Sequence, residues 1–110
     1  MVITDLRCEY LKNPICVSRQ NPYLSWRCTE NQTAWKILAA SSDKLLQDDK
    51  GDLWNSGWIK STKCVAVEYR GRELASRQPA YWKVKLRDNR GKESQWSEVA
   101  SFETALLCDE

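Results

Sequence analysis

Residues 81–91 read YWKVKLRDNRG. Trp82, Val84 and Leu86 alternate with Tyr81, Lys83, Lys85 and Arg87, the period of two of a strand with one buried face. The run closes on Asp88-Asn89-Arg90-Gly91, a hairpin turn in which Gly91 is free to take positive φ. Outward from this strand the same alternation recurs. In YLSWRCT, Leu24, Trp26 and Cys28 share one face, with Tyr23, Ser25 and Arg27 on the other. Trp35, Ile37 and Ala39 align in TAWKILAAS, and Val65, Val67 and Tyr69 in CVAVEY. In QWSEVASFET, Trp96, Ala100 and Phe102 line up on one side, and the opening ITDLRCEY supplies an edge strand.

Turn residues separate these runs. Asn13-Pro14 and Asn21-Pro22 break the chain between the first two strands, and Pro79 precedes the YWKVKL run. Only SSDKLLQDD reads as helix, of one or two turns, with Ser41 or Ser42 as its cap and Leu45-Leu46 facing inward. Short strands with one-sided alternation predict an all-β chain. The fold is expected to be an immunoglobulin-like or fibronectin type III-like β-sandwich of about seven antiparallel strands, with residues 1–110 forming one domain. Two details favour the fibronectin variant. Trp26 sits in an L-S-W context on the second strand. Leu74 precedes the aromatic start of the next-to-last strand, which predicts a tyrosine-corner-like arrangement with Tyr81 or Trp82.

The totals narrow the chemistry. The 110 residues suffice for one core, and no apolar run is long enough to cross a bilayer. A formal net charge of +2, with scattered basic residues, disfavours nucleic acid as a partner. Asp5 and Glu9 interrupt the opening MVITDLRCEYLK where a signal peptide needs unbroken apolar sequence, so a cytoplasmic location is expected. There are five cysteines (Cys8, Cys16, Cys28, Cys64 and Cys108), no C-x-x-C spacing and no histidine. That removes zinc-ribbon and Cys/His sites, and also Cys–His and Ser–His–Asp nucleophiles. The cysteines read as small hydrophobes in a reduced compartment, with a Cys8–Cys28 bridge open if their strands are neighbours.

Paired carboxylates can hydrolyse glycosides, but only when fixed across a cleft. Asp43, Asp48, Asp49 and Asp52 lie in one loop region and read as a solvated acidic loop. The D-D-K-G-D run lacks the ligand order and closing Glu of an EF-hand, and four glycines spread singly make no phosphate loop. The sequence therefore offers no catalytic residue, no metal ligand and no cofactor site. What remains is aromatic: six Trp and four Tyr. Trp26, Trp35, Trp82 and Trp96 fall on inward faces. Tyr81 lies opposite Trp82, and Tyr23 opposite Trp26; these two and Trp58 are the outward-facing candidates for contact with a neighbouring domain or a sugar.

Seven segments together resemble one family. LRCEYLKNP, PYLSWRC, QTAWKILAAS, GDLWNSG, the YWKV strand with Asp88 and Gly91, SQWS and SFET follow in the order and spacing of the N-terminal region of bacterial α-L-rhamnosidases. The resemblance covers residues 3–107. It implies a fibronectin type III-like sandwich at the front of a larger multidomain glycoside hydrolase, non-catalytic and packed against the other domains. In such enzymes a downstream (α/α)6 barrel removes terminal α-L-rhamnose with inversion, using acids that have no counterpart here. The implied partners are those other domains and rhamnose-containing glycans. Cys16 and Ala105 stand where the family usually has Gly, and Asn55 where it has Asp. Trp58 replaces a lysine or other polar residue, so it is the surface aromatic outside the pattern, whereas Trp54 reads as an anchor of the sandwich. SQWSE also resembles the W-S-x-W-S box of cytokine-receptor modules, but lacks one of its tryptophans.

Overall fold

The computed structural model describes residues 2–9, 11–14 and 21–105; Cys16 and Cys108 lie outside them. The elements in chain order are β1 (Ile3–Cys8), β2 (Tyr23–Cys28), β3 (Gln32–Ala40), α1 (Asp43–Gln47), β4 (Trp54–Asn55), β5 (Ile59–Lys60), β6 (Val67–Glu68), β7 (Pro79–Asp88) and β8 (Ala100–Glu103). One sheet has the order β1-β2-β6. The other runs β4-β3-β7-β8, with β5 also on β3, and all pairs are antiparallel.

β4 and β5 are two halves of one edge strand. Leu38 and Ala39 of β3 face Asn55 and Trp54, while Ala34 and Trp35 face Lys60 and Ile59. Between the halves the chain kinks at Gly57, φ +66°, a conformation that glycine adopts without a Cβ penalty. Ser56 holds the gap closed. Its N–H donates to the Ile37 carbonyl at 3.0 Å, and its Oγ accepts from the Ile37 N–H at 2.8 Å. With β4 and β5 taken together, three strands face four, the seven expected of the sandwich.

The inward faces carry the residues that the period-two pattern placed there. Leu24, Trp26, Ile37, Trp82, Val84, Leu86 and Phe102 are almost wholly buried in a single cluster. Trp26 meets Trp35 edge-on at 6.2 Å and Trp82 at 6.5 Å. Such tilted ring pairs add about 0.5–1.5 kcal/mol each beyond area burial. The Trp26 indole N–H donates to Gln32 Oε1 at 2.8 Å, and Gln32 in turn donates to the carbonyls of Ser61 and Lys63. A buried amide thereby ties the loop after β5 to the core. The helix is one short turn capped by Ser42, whose Oγ accepts from the Leu45 N–H. Gly91 takes φ +78° in the turn after β7, and Asp88 Oδ1 accepts from the Arg90 and Lys92 N–H groups.

Four expectations are corrected. Val65 does not share a face with Val67 and Tyr69. Ala66 adopts φ +55°, the alternation slips, and Val65 is half exposed while β6 shrinks to two residues. Trp96 does not join Ala100 and Phe102 in the core. The chain turns inward only at β8, and Trp96 packs on the outer face with Leu38, Ala40, Leu45, Leu46 and Tyr81. A Cys8–Cys28 bridge is impossible, because Cys8 faces Leu24 and Cys28 faces Ile3. Four residues of strand separate them by about 13 Å, beyond the ~7 Å limit for a disulfide.

The fourth correction concerns the tyrosine corner, which neither Tyr81 nor Trp82 forms; the buried hydroxyl that ties backbone near Leu74 is that of Tyr69, which lies before β7. Its hydroxyl donates to the Arg72 carbonyl at 2.7 Å and lies 3.3 Å from that of Leu53. Tyr81 points to the outer face and Trp82 carries no hydroxyl, so neither can make this bond; Leu74 does pack into the core beside it.

Candidate functional site

The acidic loop is consumed by structure. Asp49 pairs with Lys83, whose Nζ is buried and also donates to the Leu46 carbonyl at 2.8 Å. This hydrogen bond holds the Asp49 carboxyl below its ordinary range. Asp52 accepts from the N–H and hydroxyl of Ser41 at 2.8 and 2.6 Å; its partial burial, which would raise its pKa, is outweighed by these bonds. Asp43 sits in the first turn of α1 and Asp48 caps its end. Among the described residues no group of three or more His, Cys, Asp or Glu could hold a metal ion.

On the outer face of the larger sheet, cations and indoles interleave. Lys83 and Lys85 of β7 lie over the Trp96 ring, 4.6 and 5.2 Å from its centroid. Arg87 lies 4.2 Å over Trp58, and Glu93 pairs with Lys85 and Arg87. The SQWS segment is fixed beside β7 by its serines. The N–H groups of Ser94 and Ser97 donate to the Leu86 and Val84 carbonyls. Their hydroxyls accept from the N–H groups of the same two residues, at 2.9 and 3.0 Å. Two serines three apart thus substitute for a strand, and Trp96 between them is carried over the lysines.

The three aromatics singled out from the sequence are not brought together. Trp58 is half-buried at the kinked edge under Arg87. Tyr81 packs with α1 at the other end of β7, six residues from Arg87, about 20 Å along the strand. Tyr23 belongs to the smaller sheet, where its N–H donates to Glu9 Oε2 at 2.7 Å.

Sequence reasoning missed a cleft of about 470 Å³ at the open edge of the sandwich, where β4 and β5 face β6. Trp35, Trp54 and Val67 wall it, and Ser61, Glu68 and Arg70 stand at its rim. Trp54 is held edge-on by Trp35 at 6.1 Å and by Tyr69 at 5.3 Å. No local signal marks this cleft, since its walls come from three separate strands. Gly71 lets the two sides approach: a Cβ there would lie 2.5 Å from the Leu53 carbonyl oxygen and 2.6 Å from Tyr69 Oη.

These features define an immunoglobulin-like sandwich in which Gln32, Asp49, Asp52, Ser56, Ser94 and Ser97 fix loops and edges. Residues 3–108 match the family described as Rha78A-like, N-terminal immunoglobulin domain, and the chain belongs to it. An α-L-rhamnosidase of Formosa agariphila is 39% identical over 100 residues, which is 86% of this chain and 10% of that protein. The structure of an α-L-rhamnosidase from Dictyoglumus thermophilum superposes with a TM-score of 0.92 at 36% identity, over 99% of this chain and 13% of that one. That of the Streptomyces avermitilis α-L-rhamnosidase complexed with L-rhamnose gives 0.88 at 32%, over 96% and 11%. The chain thus spans only about a tenth of the length of these relatives.

The motifs that carried the resemblance have structural tasks. In GDLWNSG, Asp52 binds Ser41, Leu53 and Trp54 pack on the core, Ser56 bridges the edge and Gly57 makes the kink. In SQWS both serines bind β7. The pattern identifies the family through the sandwich it builds.

Proposed function

We propose that this domain is the non-catalytic N-terminal sandwich of an α-L-rhamnosidase, packing against the other domains of a larger glycoside hydrolase. One observation carries the reading: the family match extends from residue 3 to residue 108, while relatives named as α-L-rhamnosidases are about ten times longer. Hydrolysis of terminal α-L-rhamnosides belongs to the parent enzyme, and this chain contributes a rigid neighbour. Trp58 is the surface aromatic assigned to contact with an adjoining domain; Tyr81 and Tyr23 have structural partners of their own. A cytoplasmic location accords with Cys8, Cys28 and Cys64 as free thiols.

The test compares the parent enzyme with a version lacking residues 1–105, assayed on a chromogenic α-L-rhamnoside and by thermal unfolding. The isolated chain should release no rhamnose, and the shortened parent should lose thermal stability. Rhamnose release by the isolated chain would refute the non-catalytic role. An unchanged melting temperature in the shortened parent would refute the packing role.

A further inference from the structure

We propose that the open edge of the sandwich, between β4–β5 and β6, is a saccharide-binding cleft. This goes beyond the packing role and does not rest on it. The volume of about 470 Å³ lies within the ~300–1,000 Å³ of small-molecule sites. The cleft combines the two kinds of surface that a sugar presents in complement. Trp54, half-buried, offers indole surface to the C–H face of a pyranose above the buried Trp35, and the edge-on contacts to Trp35 and Tyr69 fix its ring in advance. Glu68 and Arg70 stand at the rim as an ion pair of 3.2 Å, supplying a carboxylate acceptor and guanidinium donors for vicinal hydroxyls. With Lys63 and Ser61 also lining the cleft, the rim offers hydrogen-bond donors and acceptors to the hydroxyls of a polyol.

Other occupants fit less well. A strand added to this edge would need a regular ladder, but the edge is broken at Ser56–Trp58, β6 has two residues, and Lys60 and Lys63 flank the approach. Such charges and kinks oppose strand addition. An apolar side chain from another domain would fill the walls but take water from the Glu68–Arg70 pair and from Lys63 while returning no hydrogen bond. A ligand that is apolar on one face and hydroxylated at its edges satisfies both halves.

The test is an NMR titration of the full 110-residue chain with L-rhamnose, and in parallel with D-glucose. The Trp35 and Trp54 indole N–H resonances should shift saturably with at least one sugar, with a Kd on the order of millimolar, while those of Trp58 and Trp96 stay in place. Glu68→Gln and Arg70→Ala should each weaken binding about tenfold with an unchanged melting temperature. The proposal is overturned if neither sugar gives a saturable shift, if the shifts centre on Trp58 or Trp96, or if both rim variants bind as the parent does. Both rim side chains stand outside the core, so both variants should fold and the test holds.

Discussion

Tyr69→Phe removes one oxygen from a fully buried ring and leaves the ring in place. The lost hydroxyl donates to the Arg72 carbonyl at 2.7 Å. The Leu53 carbonyl, also near it, keeps its bond from the Arg72 N–H at 2.7 Å, so one acceptor is stranded rather than two. A single buried hydrogen bond is worth about 0.5–1.5 kcal/mol, and the cost should fall near the top of that range. At ~2.1 cal/mol/K per residue, a chain of this length loses about 4 °C of melting temperature per kcal/mol. Thermal unfolding followed by circular dichroism at pH 7 should therefore show a drop of roughly 4–6 °C. Tyr81→Phe, the variant that the sequence pattern would have chosen, should stay within about 0.5 kcal/mol of the parent.

Alkaline pH provides an independent readout of the same hydroxyl. Burial pushes the Tyr69 phenol up to about 12 from its ordinary 10. Between these values the unfolded chain has released a proton that the folded one retains. Stability is therefore intact below pH 10 and is lost as pH rises toward 12. Tyr69→Phe should flatten this limb. A larger loss from Tyr81→Phe, or an alkaline limb unchanged in Tyr69→Phe, would refute the role given to the Tyr69 hydroxyl.

Other expectations follow from the same contacts. Gly71→Ala should cost more than Tyr69→Phe, because the added Cβ meets backbone at 2.5 Å and overpacking against a fixed carbonyl costs about 1–3 kcal/mol; urea unfolding measures it, and a neutral result would mean that the β6 side is mobile. Asp5, Asp49 and Asp88 are all held below their ordinary pKa, by the hydrogen bond from Arg7, that from Lys83, and the N–H groups of Lys92 and Arg90 respectively. Their contribution is present above the unfolded value of 3.8 and lost as pH falls through the lower folded values, so Asp49→Asn should shallow the acid limb of the stability curve. Cys8 is buried and its thiol is pushed up to about 12, so alkylation mapped by mass spectrometry should modify Cys28 and Cys64 in the native protein and Cys8 only after unfolding. Prior labelling of Cys8 would contradict the register of β1. Trp58→Ala should cost no more than about 1 kcal/mol, the worth of an exposed cation–π contact, in a thermal melt of the isolated chain.

The alternation in YWKVKLRD, YLSWRC and TAWKILA, with the turn at Asp88–Gly91, was enough to predict the sandwich and most of its core, and the serine cap with Leu45-Leu46 in SSDKLLQDD the short helix. Period-two patterning is a local property, and a strand with one buried face must display it. The seven ordered motifs were likewise enough for the family, because segments such as GDLWNSG and SQWS carry structural tasks in their own residues. Local reading failed where the outcome depended on residues far apart. Ala66 breaks the alternation through a positive φ that its neighbours in sequence do not announce. Trp96 looks like core by spacing, yet the serines on either side bind it to the outer face of β7. Which tyrosine hydroxyl ties buried backbone was decided by the approach of Leu53 and Gly71 to Tyr69. In GDLWNSGWIK the two tryptophans separate at the Gly57 kink: Trp54 turns to Trp35 and Tyr69, and Trp58 to Arg87. The cleft that Trp54 walls exists only after β3, β4 and β6 have come together. Sequence period determines which face of a strand is buried; only the packing of the two sheets decides what lies at their open edge.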